Sequence, residues 1–152
     1  MTVELKPQPA EASVDPGCRS PEPTDAEALA CLMLDAYRGS TDDEGETIED
    51  AREEIRRLFG GDYGDFLPEC SEVIERDAKI VAATLLTLWQ GVPLVSFSMT
   101  SPAWKRSGLA RAGLRRTMNR LLQRGNRQLQ LFVTRGNDPA ERLYESLGFR
   151  EI

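Results

Sequence analysis

The sequence has 152 residues, a formal net charge of −6 at pH 7 and a hydrophobic fraction of 40%, which indicate one soluble globular domain with a sizeable core. It contains no histidine, and this excludes Ser-His and Cys-His catalytic pairs, histidine-ligated zinc and a histidine general base. No apolar run approaches the ~20 residues of a membrane-spanning helix, and the N-terminus lacks a signal-peptide pattern, so we expect a cytoplasmic protein without a membrane partner.

The two halves of the sequence carry opposite charge. Residues 1–70 hold 18 acidic and 6 basic side chains, whereas residues 71–152 hold 7 acidic and 13 basic ones. Such an asymmetry is typical of a site that takes a cationic ligand from one side and an anionic ligand from the other. We expect no nucleic-acid partner, because the basic patch is short and no aromatic residues are interleaved with it.

The spacing of the cysteines matches no metal-binding motif. Cys18, Cys31 and Cys70 are 13 and 39 residues apart, and their odd number leaves one without a partner in the chain. We therefore interpret them as reduced, mostly structural thiols and predict no metal site.

The sequence divides into an N-terminal arm and one folded domain. Residues 1–23 are rich in proline and small polar residues and predict an arm with a possible first strand, whereas residues 24–152 predict the domain. Capping boxes at 24–27 and 138–141 and an N-cap at Thr47 predict three helix starts. Apolar periodicity predicts, in chain order, a strand at 3–6, helices at 24–37 and 47–60, strands at 71–76, 79–89 and 92–100, a helix at 108–124, a strand at 128–134, a helix at 138–147 and a last strand from 149. This order indicates a single α/β or α+β domain with a mixed sheet.

The turn between the strand at 92–100 and the helix at 108–124 has the features of an anion-binding site. The start of a helix leaves its first backbone N–H groups without intrahelical partners and is partly positive. Small residues let a phosphate come close to such a backbone, and basic residues add formal charge. The small residues are Ser107, Gly108 and Ala110, and the basic residues are Lys105, Arg106 and Arg111. We interpret the turn either as a pyrophosphate cradle or as a basic loop that caps an ordinary helix.

Two motifs in this half resemble the signatures of the GNAT (N-acetyltransferase) superfamily. Lys105-Arg-Ser-Gly-Leu-Ala110 resembles the first signature, Arg/Gln-x-x-Gly-x-Gly/Ala. Asn137-Asp-Pro-Ala140, followed by Leu143-Tyr144-Glu-Ser-Leu-Gly-Phe149, is similar to the second, Asn-x-x-Ala…Leu-Tyr-x-x-x-Gly-Phe. The motifs occur in the family's order and at its usual separation, and the resemblance covers roughly residues 24–152.

The resemblance implies a GNAT-like domain, with helices on both faces of a mixed sheet, that uses acetyl-coenzyme A. By the same resemblance Tyr144 protonates the departing thiolate, although its spacing from Ala140 and Leu147 also fits a core aromatic. The residues that the resemblance assigns to coenzyme A are Ser98, Met99 and Thr100 for the pantetheine arm, Lys105, Arg106, Ser107, Gly108, Leu109, Ala110 and Arg111 for the pyrophosphate, and Asn137 for the cofactor arm.

Three departures from the family pattern bear on these expectations. Lys105 replaces the usual arginine or glutamine, and the strand at 92–100 has no carboxylate where many relatives place a general base. Ile152 lies four residues into the last predicted strand, where family members normally have two strands. We therefore expect the C-terminal strands to be truncated and the sheet edge near residues 149–152 to be covered by residues 1–6 or by a second subunit in a homodimer.

The acidic loop between the first two helices is the expected binding site for the acceptor. In the family these helices border the acceptor pocket, so the resemblance implies that the loop recruits a primary amine, in a small molecule or a peptide. The loop residues are Asp42, Asp43, Glu44 and Glu46. We expect the amine to attack the thioester directly while backbone amides near Met99 polarise its carbonyl. The base is unassigned, and our hypothesis is a water chain that ends at the acidic loop. The alternative function is a non-catalytic sensor or interaction domain that binds acyl-coenzyme A.

Overall fold

A mixed seven-stranded sheet lies between two layers of helices. The computed structural model describes residues 1–9, 15–40 and 43–152. Its strands are β1 (Thr2–Glu4), β2 (Cys18–Arg19), β3 (Asp65–Phe66), β4 (Glu72–Arg76), β5 (Lys79–Trp89), β6 (Val92–Thr100) and β7 (Gln128–Leu131). Its α-helices are α1 (Ala26–Tyr37), α2 (Ile48–Gly60), α3 (Leu109–Gln123) and α4 (Asp138–Ser146). The predicted α/β class is confirmed.

The sheet is antiparallel except at one pair of strands. The strand order is β1-β7-β6-β5-β4-β2, and β3 pairs with the end of β5. Only β6 and β7 run parallel among the described strands. Parallel neighbours need a crossover connection, and α3 supplies it.

The two faces of the sheet bury separate cores. Ile55 of α2 packs with residues of α1 on one face, and Leu114 of α3 packs with residues of α4 on the other. Successive residues of a strand point to opposite faces, so Leu85 of β5 belongs to the first core and Leu86 to the second. Within the described ranges, no helix combines the length and apolar content needed to cross a membrane.

A buried ion pair holds α3 close to the sheet. The Glu72 carboxylate of β4 is fully buried and accepts hydrogen bonds from Arg116 (2.6 and 2.9 Å) and Arg120 (3.1 Å) of α3. A Cβ atom at Gly113 would lie 2.9 Å from Thr84 Oγ1 and 3.2 Å from Glu72 Oε2. Glycine at this position therefore allows the close approach on which the ion pair depends.

The start of α1 differs from the prediction. The capping box predicted at 24–27 does not form, because the Asp25 carboxylate accepts a hydrogen bond from the Glu22 backbone N–H (2.7 Å) and pairs with Arg19 of β2 (2.8 Å). A short 3₁₀ turn forms instead, and α1 begins at Ala26. Contacts of Asp25 with residues that precede it thus displace the predicted cap.

The last two predicted strands are shorter than expected. The strand predicted at 128–134 ends at Leu131. In place of the strand predicted from residue 149, Arg150 makes one antiparallel bridge to Thr2, with backbone hydrogen bonds of 2.8 and 2.9 Å. The turn at Gly148 directs Phe149 into the core, where it is fully buried, and only the bridge continues the sheet.

The N-terminal residues cover the edge of β7. β1 pairs antiparallel with β7, and the Met1 ammonium donates a hydrogen bond to the Leu131 carbonyl (2.9 Å). β1 also holds Arg150 on its other side, and the side chain of Val3 is buried. Of the two coverings expected for the edge near residues 149–152, the structure shows the N-terminal one, through the bridge between Thr2 and Arg150.

Deletion of residues 1–6 should lower the melting temperature and promote self-association. The deletion exposes the unpaired backbone groups of β7, which are a template for pairing with another chain. Thermal unfolding and light scattering would measure the two effects, with Ile152→Ser, at a residue that is 90% exposed, as the control. A truncated protein that stays monomeric with an unchanged melting temperature would contradict this role of β1.

Candidate active site

β6 and β7 separate in the middle of the sheet. They pair through Leu94 with Gln130 and Val95 with Leu131, after which β7 ends while β6 continues to Thr100. Ser96 is an extra residue in β6, because Val95 pairs with Leu86 of β5 and Phe97 with Leu85. Such a bulge bends the strand and increases its twist. The space that opens beside residues 96–100 is called the β6–β7 opening below.

Two residues of β6 present backbone groups to the β6–β7 opening. The Ser101 backbone N–H donates to the Val81 carbonyl (2.7 Å), so the backbone groups of Ser101 point toward β5. Hydrogen-bonding direction alternates along an antiparallel pair, which turns the backbone groups of Met99 toward β5 and those of Ser98 and Thr100 away from it. The side chain of Met99 is buried against α1 and α2. Of the three residues predicted to bind the pantetheine arm, Ser98 and Thr100 can therefore form backbone hydrogen bonds with a molecule in the opening, and Met99 cannot.

The start of α3 supplies free backbone amides. Gly108 is the N-cap, with a φ of +83°, and a Cβ there would meet no atom of the described residues within 4 Å. Within the described part of the chain, no hydrogen bond is donated by the backbone N–H groups of residues 108–111. These amides and the positive end of the helix can bind an anion such as a pyrophosphate.

Two of the three predicted cations contact neighbouring helices. The Lys105 ammonium donates a hydrogen bond to the Ala36 carbonyl at the end of α1 (3.4 Å). Arg111 donates to the Ser146 hydroxyl of α4 (2.8 Å), whereas Arg106 is exposed. The basic turn is thus connected to both layers of helices.

Asn137 and Tyr144 both lie on or next to α4. Asn137 rather than the predicted Asp138 is the N-cap, and its backbone N–H donates to the Thr134 carbonyl (3.0 Å). The half-buried Tyr144 ring makes an edge contact with Phe149, with 5.9 Å between ring centroids. The ring contacts the core as a structural aromatic would, and the catalytic role of its hydroxyl stays a prediction.

An acidic cavity of about 770 Å³ lies on the α1 and α2 side of the bulge. The bulge residues Ser96 and Phe97 line it, together with Phe132 and Thr134 beyond the end of β7. Its charged lining residues are Asp43, Glu44, Glu46, Asp50, Glu53 and Glu54 on the acidic side and Arg38 and Arg57 on the basic side. Asp42 lies outside the described residues. The excess of carboxylates favours a cationic ligand.

The loop carboxylates are engaged by backbone groups. Asp43 accepts hydrogen bonds from the backbone N–H groups of Gly39 (2.8 Å) and Gly45 (2.9 Å), and these bonds lower the pKa of its carboxyl below the usual value. Glu46 accepts a hydrogen bond from the Glu44 backbone N–H (3.1 Å). These bonds stabilise the conformation of the loop where it lines the cavity.

Sequence reasoning missed the carboxylates of α2. Hydrogen bonds from Arg56 (2.5 Å) and Arg57 (3.3 Å) lower the pKa of Glu53 to about 2. Glu54 instead accepts a hydrogen bond from the Tyr63 hydroxyl (2.5 Å). The available signal was the three- and four-residue spacing of Asp50, Glu53 and Glu54, which places them on one polar side of the helix.

Comparisons with known proteins agree with this geometry. The sequence profile of the Acetyltransferase (GNAT) family matches residues 27–149. The ribosomal-protein-S18-alanine N-acetyltransferase from Escherichia coli superposes with a TM-score of 0.72 at 24% identity, over 89% of this chain and 77% of that one. No curated protein sequence matches the chain at a significant level.

Two further structural neighbours were solved with coenzyme A or a derivative of it. The PaiA N-acetyltransferase from Thermoplasma acidophilum, in complex with coenzyme A, superposes with a TM-score of 0.69 at 15% identity over 88% of each chain. AAC(6')-Iy in complex with the bisubstrate analogue CoA-S-monomethyl-acetylneamine has a TM-score of 0.65 at 13% identity, over 88% of this chain and 90% of that one. At these identities the superpositions show a shared fold.

Proposed function

Because the chain belongs to the Acetyltransferase (GNAT) family, we propose that it transfers an acetyl group from acetyl-coenzyme A to a primary amine that is cationic at neutral pH. One observation carries the proposal: the β6–β7 opening has free amides near one end and the acidic cavity near the other. An anionic cofactor and a cationic acceptor can therefore approach the same stretch of β6 from different sides.

The described residues fit an extended thioester cofactor. The amides of residues 108–111 would hold its pyrophosphate, and the backbone groups of Ser98 and Thr100 would hold its pantetheine arm. Acetyl-coenzyme A supplies the activated acetyl group. Open space at Gly108 leaves room for phosphate oxygens next to the backbone.

The protein residues would orient the acceptor and assist departure of the thiolate. The carboxylates of the cavity attract an ammonium group and direct it to the bulge of β6. Backbone N–H groups of β6 polarise the carbonyl oxygen, and the Tyr144 hydroxyl donates a proton to sulfur as the carbon–sulfur bond breaks.

Release of coenzyme A from acetyl-coenzyme A in the presence of propylamine, putrescine, spermidine, neamine or a peptide with an N-terminal alanine tests the function. The double change Asp43→Asn with Glu44→Gln should raise the KM for the best amine several-fold and leave that for acetyl-coenzyme A unchanged. Both residues line the cavity, away from the start of α3. Binding of coenzyme A without turnover of any amine would instead identify a non-catalytic acyl-coenzyme A sensor.

Gly108→Val should abolish the stabilisation that coenzyme A gives. A ligand at 100 times its Kd stabilises the native state by about 2.7 kcal/mol. A β-branched residue disfavours the positive φ at 108 and changes the direction of the free amides. Melting temperatures with and without coenzyme A would measure the loss.

Gly125→Val is the matched control, since Gly125 has a φ of +87° and lies after the other end of α3. Its Cβ position, like that of Gly108, has no atom within 4 Å in the part of the chain that the structure describes. It should lower stability and keep the shift caused by coenzyme A. If coenzyme A raises the melting temperature of both variants equally, the phosphate site lies elsewhere.

Tyr144→Phe should lower kcat by roughly 10²–10⁴-fold, the usual contribution of a general acid, with little change in coenzyme A affinity. The phenyl ring keeps its edge contact with Phe149, so the melting temperature should change little. Steady-state kinetics and thermal unfolding on the same preparation test this. A variant that is destabilised yet fully active would assign Tyr144 to the core alone.

A further inference from the structure

The proposed reaction needs a base that β6 does not supply. An alkyl ammonium group resembles the lysine side chain, whose usual pKa is about 10.4, so it carries a proton at neutral pH and cannot attack a carbonyl until it loses it. Residues 92–100 include no acidic side chain, and the chain has no histidine. The base must therefore come from another wall of the cavity.

Four of the six cavity carboxylates are poorly suited to this task. Asp43 and Glu46 accept hydrogen bonds from backbone N–H groups of the loop. Asp50 accepts a hydrogen bond from the Thr47 backbone N–H (2.9 Å) at the start of α2. Glu53 is paired with two arginines, which keep it ionised and make it a weak base. Glu44 is exposed in the loop, so Glu54 is the remaining candidate. Its side chain is half-buried, and among the described residues no cation lies within 4 Å of its carboxylate.

Glu54 is fixed relative to the bulge of β6. Its Oε2 atom accepts the hydrogen bond from Tyr63, and its Oε1 atom accepts none from the described residues. The Tyr63 ring in turn makes an edge contact with Phe97, with ring centroids 6.0 Å apart and planes at 77°. Phe97 follows the bulge residue Ser96, and both residues line the same cavity as Glu54.

We propose that Glu54 is the general base for the acceptor amine and that Tyr63 is its positioning residue. This inference rests on the proposed function. The ammonium group gives one proton to Glu54, directly or through one water, and the neutral nitrogen forms a bond to the acetyl carbon. As the carbon–sulfur bond breaks, the thiolate takes a proton from the Tyr144 hydroxyl. The nitrogen loses its second proton as the amide forms, and this proton restores the Tyr144 hydroxyl through water. Glu54 then releases the first proton to solvent.

Several charged groups share the cavity with Glu54. Asp50, Glu53 and Arg57 lie on its own helix, and Arg57 also lies close to Tyr63. Arg38 at the end of α1 and the three loop carboxylates at 43, 44 and 46 line the cavity with it. Burial and the Glu54 carboxylate raise the pKa of Tyr63 above its usual value, which favours the protonated hydroxyl that donates to Glu54. A pH profile therefore reports the whole group, and the effect of Glu54 is isolated by substitution.

The test compares kcat and KM of Glu54→Gln with those of the unchanged protein between pH 6 and pH 10, with the best amine of the panel. Loss of the base should lower kcat by roughly 10²-fold or more at pH 7, with the KM for the amine changed less than threefold. The difference in kcat between Glu54→Gln and the unchanged protein should decrease as the pH rises, because a growing fraction of the amine is already neutral. Glu49→Gln is the matched control: Glu49 is an exposed residue of α2 outside the cavity lining, and kcat should be unchanged.

Tyr63→Phe keeps the ring against Phe97 and removes the hydrogen bond to Glu54. It should lower kcat by about tenfold and change the pH profile, whereas a purely structural tyrosine would change only the melting temperature. A Glu54→Gln protein that keeps its kcat, or that raises only the KM, would overturn the base assignment and leave the proposed function intact. Absence of turnover by the unchanged protein with every amine would overturn the proposed function and the base assignment together.

Discussion

The separation of β6 from β7 is the constraint on which the rest of the site depends. Two parallel strands in the middle of a sheet normally bond along their whole length, yet this pair bonds through two residues of each strand. Backbone groups left unpaired inside a protein cost free energy unless water or a ligand satisfies them. Ser98 and Thr100 carry such groups where a substrate can reach them. The bulge at Ser96 and the end of β7 at Leu131 therefore open this stretch of the sheet, which is the proposed binding surface for the cofactor.

The buried pair of Glu72 and Arg116 connects the packing of α3 to this binding surface. Breaking a buried pair on one side leaves an uncompensated charge and typically costs about 3–5 kcal/mol. The pair fixes the side of α3 that faces the sheet, while the glycine at 113 lets the helix lie close to β4 and β5. With α3 fixed in this way, its first amides lie directly after the turn that follows β6. The geometry of the proposed anion site thus depends on a polar contact in the core.

Local sequence signals predicted most of the fold. The apolar stripes of the helices and the turn at Asp77 and Ala78, where both residues have a positive φ, are properties of short segments and agree with the structure. The failures lie where side-chain contacts or strand ends depart from the local pattern. Arg19 displaces the predicted cap at 24–27, and β7 ends at Leu131 although apolar alternation continues to Val133.

In the candidate site, too, local features were predicted from the sequence and contacts between segments were not. Motifs predicted the turn around Gly108 and the acidic loop, because each is contiguous in the sequence. The contact of Glu54 with Tyr63, and that of Tyr63 with Phe97, join three separate segments, and no local pattern marks them. The roles of Asn137 and Tyr144 stay predictions.

Backbone amide hydrogen exchange, followed residue by residue by NMR with and without coenzyme A, tests most directly whether the β6–β7 opening holds the cofactor. Exchange at Ser98 and Thr100 and at residues 108–111 should slow on binding, since these amides face the opening or begin α3 without a protein acceptor. Met99 should change little, because its amide already bonds β5. Binding of coenzyme A that leaves Ser98 and Thr100 unprotected would contradict the account.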